Sequence, residues 1–151
     1  MPYAITINQG HFMRTHLASL PFHLMRRLFQ EHTAQWQKTL PELTKQQYSV
    51  LCAVADRPDI EQADLIDVAI STKATLAEML MRMEKRGLLV RKPGIHDRRR
   101  RFISLTGAGE EALNRGRPAA NEVDSKFLNR LSAEEQQILV QLLQKMVMKS
   151  E

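Results

Sequence analysis

The feature that most limits the possible folds is residues 71–105, where the pattern of an amphipathic helix leads directly into that of a short hairpin. Apolar residues recur at helical spacing as far as Gly87, which is placed to end the helix in a left-handed cap. Two short apolar runs then flank the turn-forming pair Pro93 and Gly94. Because the pattern of a short acidic helix over 62–69 comes first, the order predicts a helix-turn-helix followed by a β-hairpin wing.

The preceding residues have the periodicity of longer helices. Ser19 is placed as the N-cap of the first, Pro21 falls in its first turn, and Pro41 ends it. Thr44 is placed to cap the second helix. Residues 1–18 have no clear period and are interpreted as an N-terminal arm.

The helices after the hairpin are predicted from caps and breakers. Thr106 is placed to cap a long helix, which we expect to kink or break at Gly116 and Pro118. Ser132 and Glu135 have the spacing of a capping box at the start of the last helix. The predicted fold class is mainly α with a small β-hairpin wing (α+β), in which a winged helix-turn-helix lobe is joined to a helical dimerisation region.

One intertwined domain in three segments is expected. Residues 1–40 hold the arm and the first dimerisation helix, residues 41–106 the winged helix-turn-helix DNA-binding lobe, and residues 107–151 the C-terminal dimerisation helices. The terminal helices are too apolar to stand alone in water, as Phe22 and Phe29 show for the first. A two-fold homodimer is the commonest way to cover such faces.

The net charge of +5 is concentrated in one part of the chain. Residues 71–101 contain ten Lys and Arg against three Asp and Glu, a local charge of +7, so the other 120 residues sum to −2. Positive charge concentrated beside a folded scaffold is typical of a protein that binds a polyanion. The helix-turn-helix pattern indicates duplex DNA as that polyanion, because an α-helix fits the major groove.

The residues expected to meet DNA lie on the second helix of the helix-turn-helix and on the wing. They are Thr72, Lys73, Ala74, Thr75, Glu78, Arg82, Arg98, Arg99 and Arg100. Glu78 is the one acid on this helix face. It can accept from a cytosine amino group, but pairing with Arg82 one turn on is favoured.

The four wing arginines cannot all reach DNA, although guanidinium groups suit the negative potential of a narrow minor groove. Strand alternation would point Arg99 and Arg101 away from Arg98 and Arg100. Two of the four are therefore expected at the DNA, while the others hold the wing or lie near phosphates. Asp97 is placed to orient a neighbouring arginine through a charge-assisted hydrogen bond.

Other classes of protein find little support in the sequence. The single cysteine, Cys52, allows neither an internal disulfide nor a Cys-based zinc cluster, and is interpreted as a core residue. The histidines lack metal-site spacing, and no phosphate loop, nucleophile elbow or paired-carboxylate motif is found, so no metal, cofactor or enzymatic activity is expected. With no apolar run of ~20 residues and no signal-peptide pattern, we expect a cytoplasmic protein without a membrane span.

The stretch 71–106 resembles the signature of MarR-type winged-helix regulators. The elements that carry the resemblance are Thr75, Arg82, Glu84-Lys85-Arg86-Gly87-Leu88, Asp97-Arg98-Arg99, Leu105-Thr106 and Gly109, with Leu43-Thr44, Gln47 and Leu51 in the second helix. The resemblance covers about residues 20–148 and implies a homodimer, built from the first and last two helices, that binds a pseudo-palindromic operator and usually represses transcription. It also implies that Arg99 is the minor-groove arginine. Glu78 departs from the pattern, since many relatives carry arginine or another donor there.

The segment 26–36 resembles a branch of the same family that responds to hydroxylated aromatic acids. By matching position, Arg26 would hold the carboxylate and His32 a hydroxyl or ring nitrogen, with Trp36 and Tyr48 as candidates for an aromatic wall. The alternative is a solvated Arg26, a core Trp36 and a satisfied interior His32. The expected partners are thus an operator duplex, a second copy of the chain and a small aromatic carboxylate or phenolic effector.

Two other functions stay open. A nonspecific architectural DNA-binding protein would bind an operator and a random duplex equally, whereas a repressor should prefer its operator by ~10³ or more. A protein that binds anionic membrane surfaces would need an apolar face beside the basic hairpin, which offers little beyond Ile95 and Phe102.

Overall fold

The computed structural model describes residues 16–148, and the predicted fold class is confirmed: helices with a small antiparallel sheet. The helices are α1 (Pro21–Thr39), α2 (Lys45–Asp56), α3 (Leu65–Val68), α4 (Lys73–Lys85), α5 (Gly107–Leu128) and α6 (Ala133–Val147). The strands are β1 (Ile60–Glu61), β2 (Leu89–Pro93) and β3 (Arg101–Leu105), and two 3₁₀ turns span His16–Ser19 and Gln62–Asp64. The predicted arm, residues 1–18, lies almost wholly outside the described residues. Within that range no helix is long and apolar enough to cross a membrane.

Side-chain caps begin three of the longer helices as the sequence predicts. At α2 the Thr44 hydroxyl oxygen accepts from the Gln47 amide at 3.1 Å, and the Gln47 Oε1 accepts from the Thr44 amide at 3.0 Å, which completes a capping box. Ser132 and Glu135 form the second capping box, at α6, with distances of 3.2 and 2.8 Å. Thr106 caps α5 with its hydroxyl oxygen.

The first helix begins differently from the prediction. Pro21 is its first residue, so the N-cap is Leu20, whose extended backbone is the conformation that a residue before proline favours. Ser19 instead donates its hydroxyl to the His16 carbonyl at 2.9 Å within the preceding turn. The prediction of Ser19 as the N-cap is therefore wrong, because the proline occupies the first helical position and the cap falls one residue later.

Of the kink or break predicted at Gly116 and Pro118, the break is wrong, since α5 runs across both residues. Pro118 removes only one backbone hydrogen bond, and buried residues on either side of it, Leu113 and Val123, hold the helix against the core. Gly116 is buried and faces the Tyr48 ring, where a Cβ would be in ordinary contact with two ring carbons at 3.5 Å. Tertiary packing thus outweighs the local tendency to break.

The predicted hairpin is confirmed, and it carries a third strand that the sequence did not reveal. β2 and β3 pair antiparallel along their whole length. β1 pairs with the other edge of β3, where Ile60 stands opposite Ile103. A strand of two residues is too short to show an alternating pattern, so nothing local predicts it.

The core lies where the helix-turn-helix meets the sheet. The predicted inward stripe of α4 is buried in one cluster with side chains from α2, α3 and the strands; these residues are Leu76, Leu80, Met83, Leu51, Leu65, Leu89 and Ile103. Burial of that stripe fixes which face of α4 points outward. Gly87 has a φ of +74°, which confirms the left-handed cap after this helix.

Helix α5 joins the terminal helices to this lobe. It packs against both α1 and α2, and its first turn lies against the residues that follow α4. The Thr106 amide donates to the Leu88 carbonyl at 3.1 Å, and the Thr106 hydroxyl donates to the Gly87 carbonyl. Gly109 lies so close to Leu88 that the junction has no room for a Cβ.

Helices α1 and α6 leave large apolar side chains in solvent. Phe22 and Phe29 are 66% and 62% exposed on α1. On α6, Ile138, Leu142 and Met146 are 53%, 55% and 56% exposed. These are the stripes that the sequence assigns to a dimer interface.

Candidate nucleic-acid interface and ligand site

The exposed face of α4 is set by its cap and its buried stripe. The Thr72 hydroxyl oxygen accepts from the Thr75 amide at 3.2 Å and so fixes where the helix begins. The side chains that face solvent include Thr72, Lys73, Ala74, Thr75, Glu78 and Arg82. The structure therefore brings the predicted helix residues together on one surface.

Glu78 does not form the predicted ion pair with Arg82. Of the ion pairs within residues 16–148, none includes Glu78. An exposed ion pair between residues four apart on a helix contributes at most ~0.5 kcal/mol. Hydration of the two separate side chains can outweigh so small a gain. The carboxylate therefore stays available as an acceptor on the outer face of α4.

Three of the four wing arginines, Arg98, Arg99 and Arg100, lie in the loop before β3 rather than on a strand. β3 begins only at Arg101, so residues 94–100 follow a turn and the predicted strand alternation is wrong for them. The Gly94 amide donates to the Arg100 carbonyl at 3.0 Å, and the Arg100 amide donates to the Asp97 carbonyl at 3.2 Å. These bonds close the loop, and side-chain contacts then decide what each arginine does.

Asp97 orients Arg99, as predicted. Its carboxylate accepts from the Arg99 amide at 3.0 Å and from Nε and Nη2 of the same residue at 3.2 and 3.4 Å. These hydrogen bonds hold the pKa of Asp97 below its ordinary value, and the bond from the Arg99 backbone contributes more than the bonds from its side chain. The Arg99 side chain is nevertheless 93% exposed, so it is held in direction and open to solvent.

Arg100 and Arg101 hold the wing itself. The Nε and Nη2 of Arg100 donate to the two carboxylate oxygens of Glu61 at 2.8 and 2.6 Å, and its guanidinium lies 5.2 Å from the Phe102 ring centroid. The side-chain hydrogen bond lowers the pKa of Glu61 and raises the pKa of Arg100. Arg101 donates to the Arg98 carbonyl. This is the holding role that we expect for two of the four arginines.

An ion pair between Glu84 and Arg91 ties the end of α4 to β2. The Glu84 Oε1 accepts from Nε and Nη2 of Arg91 at 3.3 and 3.1 Å, and its Oε2 accepts from the Arg91 amide at 3.1 Å. The side-chain hydrogen bond from Arg91 is the largest cause that lowers the pKa of Glu84, and the backbone hydrogen bond and the charge of Arg91 add to it. The helix and the wing are thus connected by side chains as well as by the chain.

A separate cluster lies between α1, α2 and α5. The His32 Nε2 lies 2.7 Å from the Asp124 Oδ1, and the His32 ring centroid lies 5.3 Å from that of Phe127. The Trp36 ring centroid lies 6.1 Å from that of His32 and 5.4 Å from that of Tyr48, which it meets edge-on. The structure therefore brings three of the four predicted effector residues together.

His32 has one nitrogen whose hydrogen bonding is incomplete. Because the Asp124 carboxylate accepts from Nε2, that nitrogen carries a proton, and in the neutral ring Nδ1 is left as an acceptor. Nδ1 is buried and has no hydrogen-bond partner among the residues that the structure describes. Buried polar atoms normally find partners, so a donor on a second molecule would fit this position.

Trp36 and Tyr48 also have structural contacts of their own. Trp36 is buried, and its Nε1 donates to the Leu43 carbonyl at 2.7 Å. Burial, followed by a hydrogen bond with Cys52, raises the pKa of Tyr48. Cys52 is half-buried and packs against the core, as predicted.

Arg26 lies outside this cluster in a single chain. It is exposed and precedes His32 by six residues on α1, which places it about 9 Å along the helix axis and about 120° around it. Two other cations lie near the cluster: the Lys45 Nζ donates to the Thr33 hydroxyl at 2.8 Å, and the Arg130 guanidinium lies 4.8 Å from the Phe127 ring centroid. Burial lowers the pKa of Lys45, and nearby Asp124 partly offsets that effect.

The arrangement of α4 and the wing has counterparts in known proteins. The model of the MarR family matches residues 43–100. The transcriptional regulator HosA of Escherichia coli O157:H7 is 56% identical over 131 residues, which covers 87% of this chain and 97% of HosA. The chain belongs to the MarR family.

Two solved structures resemble this MarR-family chain. The transcriptional regulator PcaV of Streptomyces coelicolor, in complex with its natural ligand, is 32% identical with a TM-score of 0.82, covering 87% of this chain and 94% of PcaV. BpsR of Bordetella bronchiseptica, whose DNA binding is regulated by 6-hydroxynicotinic acid, is 30% identical with a TM-score of 0.83, covering 90% of this chain and 99% of BpsR. The chain is accordingly a MarR-family transcriptional regulator with a winged helix-turn-helix DNA-binding lobe.

Some residues of this MarR-family chain gave no signal in the sequence. Glu61 meets Arg100 across 39 positions and Asp124 meets His32 across 92, so only the fold brings them together. Lys45 was likewise missed, because one lysine at the start of a helix has no distinctive spacing. Within residues 16–148, no group of three His, Cys, Asp or Glu side chains is arranged to hold a metal ion.

Proposed function

We propose that this regulator is a homodimeric repressor that places α4 in the major groove and the wing in the minor groove of a pseudo-palindromic operator. The observation that carries the proposal is Arg99, a guanidinium oriented by Asp97 yet 93% exposed at the tip of the wing. A cation that is fixed in direction and open to solvent suits a narrow minor groove, where the negative potential is strongest.

The proposed contacts on α4 follow from its exposed face. The residues are Thr72, Lys73, Ala74, Thr75, Glu78 and Arg82, with Arg98 and Arg99 on the wing. Lys73 and the capped helix start suit phosphate oxygens, which favour cations and helix N-termini. Glu78, with no ion pair in the described range, is proposed to accept from a cytosine amino group.

The second copy of the chain is proposed to cover the exposed apolar stripes of α1 and α6. Phe22 and Phe29 lie on one stripe, and Ile138, Leu142 and Met146 lie on the other. Contiguous exposed apolar surface of this kind marks an interaction site, and closed two-fold symmetry covers it on both copies. The dimer would set its two recognition helices about one turn of DNA, ~34 Å, apart.

Selection from a random duplex library by the wild-type protein tests the DNA-binding proposal. The expected product is a two-fold symmetric consensus with half-sites about 10 base pairs apart, bound ~10³-fold or more tightly than a shuffled duplex. Its affinity should fall steeply with salt, because binding to phosphates releases counterions. Equal affinity for the selected and shuffled duplexes would favour the alternative, a nonspecific architectural DNA-binding protein.

Arg99→Ala tests the wing on the selected duplex. It should weaken binding by roughly tenfold or more, since one guanidinium is lost from each protomer. Arg115→Ala is the matched control, because it removes the same charge from the exposed surface of α5. Equal losses for the two variants would show that Arg99 contributes only net charge.

We further propose that a small hydroxylated aromatic or heteroaromatic carboxylate binds beside His32 and relieves repression. The buried Nδ1 of His32 would accept from the ligand hydroxyl or ring N–H, and Trp36 and Tyr48 would flank the ring. Arg26 is proposed to bind the carboxylate, which requires its side chain to turn toward the cluster. BpsR, which is regulated by 6-hydroxynicotinic acid, supports this ligand class.

A thermal-shift screen of hydroxylated aromatic acids tests this ligand site. Ligands should raise the melting temperature of the wild type, and the shift should be lost in Arg26→Ala and His32→Ala. Arg27→Ala, which removes the neighbouring exposed arginine, is the matched control and should keep the shift. Ligands that shift all four proteins equally would refute the site, and ligands that bind without weakening the operator complex would refute relief of repression.

A further inference from the structure

We propose that Glu61 is a positioning residue for DNA binding, which holds Arg100 and thereby sets the direction of the wing relative to α4. The inference rests on the proposed use of the wing in the minor groove. Arg100 then acts on the protein rather than on the DNA, and Arg99 is the residue that enters the groove.

The contact between Glu61 and Arg100 restrains direction as well as distance. Nε and Nη2 of the guanidinium donate in parallel to both carboxylate oxygens at 2.8 and 2.6 Å, the fork geometry in which arginine binds carboxylates most specifically. Glu61 is 27% exposed and Arg100 51% exposed, and the Phe102 ring lies beside the guanidinium at 5.2 Å. The pair is therefore partly shielded from water and better defined than a loose surface ion pair.

The pair lies where the wing returns to the helix-turn-helix. Glu61 is the last residue of β1 and stands opposite Phe102 of β3, and the chain continues from it directly into the 3₁₀ turn before α3. Asp59 adds a second link from the same segment, because its Oδ1 accepts from the Ser104 hydroxyl at 2.6 Å. Two side-chain links thus flank the short pairing of β1 with β3.

The wing needs such a restraint because its own sheet is small. A two-stranded hairpin is only marginally stable by itself, and β1 adds two residue pairs to its edge. Arg100 ends the loop that carries Arg99, and its backbone already bonds to Gly94 and Asp97. Fixing the Arg100 side chain therefore fixes the end of the loop next to Arg99. If the direction of the wing relative to α4 changed, Arg99 would no longer reach the minor groove while α4 remained in the major groove.

The two possible roles of Arg100 predict opposite effects of removing the Glu61 charge. If Arg100 bound a phosphate, Glu61 would compete with the DNA for the guanidinium and repel the phosphate, so Glu61→Gln would tighten binding. If Glu61 positions the wing, the same substitution weakens binding. The sign of the change therefore separates the roles before any magnitude is considered.

The experiment measures affinity for the duplex that the wild-type protein selects. Glu61→Gln and Arg100→Gln should each weaken binding by about three- to tenfold, the effect of losing one modest ion pair in each protomer. The double variant should be no weaker than either single variant, and the exchanged variant Glu61→Arg/Arg100→Glu should recover most of the affinity. Asp64→Asn, which removes an exposed acid nearby, is the matched control and should not weaken binding.

The decisive readout uses Arg99→Ala as the background. A residue that acts through Arg99 has nothing left to position there, so Glu61→Gln should change the affinity of Arg99→Ala by less than about twofold. A general loss of fold stability would instead add its full effect to that of Arg99→Ala. Thermal unfolding of each variant shows whether the fold is kept.

Three results would overturn the inference. They are tighter binding by Glu61→Gln than by Asp64→Asn, an additive loss in the Arg99→Ala background, and a folded exchanged variant that stays as weak as Arg100→Gln. A wild-type protein that selects no preferred duplex would overturn the proposed function itself, so the two kinds of failure are distinct.

Discussion

Replacing Gly109 with alanine should destabilise the junction between α5 and the DNA-binding lobe. A Cβ at this position would overlap the Leu88 carbonyl oxygen and lie 2.9 Å from the carbonyl carbon, whereas ordinary contact begins at 3.4 Å. Both are backbone atoms, so no side-chain rotation relieves the overlap. The Thr106 amide donates to the same carbonyl at 3.1 Å and its hydroxyl donates to Gly87, so moving α5 away strains both hydrogen bonds.

The magnitude follows from these contacts. Overpacking of this kind costs about 1–3 kcal/mol, and weakening the two hydrogen bonds costs about 1 kcal/mol each. Alanine recovers ~1 kcal/mol through its higher helix propensity. The free energy of unfolding should therefore fall by about 2–4 kcal/mol, and the melting temperature by roughly 5–15 °C for a chain of this size.

Thermal and urea unfolding at one fixed protomer concentration measures the effect, because the stability of a dimer depends on concentration. Gly107→Ala is the matched control, since it lies two residues earlier in the same helix and its Cβ would meet no atom within 4 Å. Gly107→Ala should have the same midpoint of unfolding as the wild type, or a slightly higher one. If Gly109→Ala unfolds within about 2 °C of Gly107→Ala, the close approach to Leu88 does not restrain the junction and the reasoning is refuted.

Three further substitutions test other contacts. Ile70 is β-branched, almost fully exposed and held at a φ of +50°, a strained conformation for such a residue. Ile70→Gly should therefore raise the free energy of unfolding by about 1 kcal/mol. An unchanged midpoint of urea unfolding would contradict the presence of this strain. Trp36→Phe should lower it by about 1–3 kcal/mol, because the Leu43 carbonyl loses its buried donor, and a neutral result would show that another donor replaces the indole. Hydrogen bonds from Arg91 lower the pKa of Glu84 below its ordinary 4.5, so the pair stabilises the fold above that value and its contribution is lost as the pH falls through the lowered pKa. Glu84→Gln should therefore destabilise the protein near neutral pH but not in acid, and parallel pH profiles of stability for variant and wild type would count against the pair.

Local patterns predicted most of the DNA-binding lobe. The Thr44 cap, the inward stripe of α4 and the left-handed Gly87 each depend on residues within a few positions, so the sequence contains the whole cause. The same holds for Asp97 and Arg99, which are two positions apart. Where a feature is determined this locally, periodicity and cap chemistry are sufficient.

Long-range packing determined what the sequence could not show. A break at Pro118 is the local expectation, but α5 stays whole because residues on both sides of the proline are buried against distant elements. β1 exists only because Ile60 meets Ile103, and the pairing of Arg100 with Glu61 depends on the fold, because the two residues lie 39 positions apart. Each of these outcomes depends on partners dozens of positions away.

Helix α5 is the element through which the proposed effector would act on DNA. Asp124 near its end bonds to His32, and its N-cap Thr106 is bonded to Leu88, just after the recognition helix. Its 22 residues form one uninterrupted helix of about 33 Å across Pro118, so continuous helical backbone connects Asp124 with the residues next to Thr106. Coupling of this kind is reciprocal, so an effector that weakens operator binding must itself bind the operator complex more weakly by the same factor. A ligand bound equally well by the free and operator-bound protein would therefore exclude α5 as a route between the two sites.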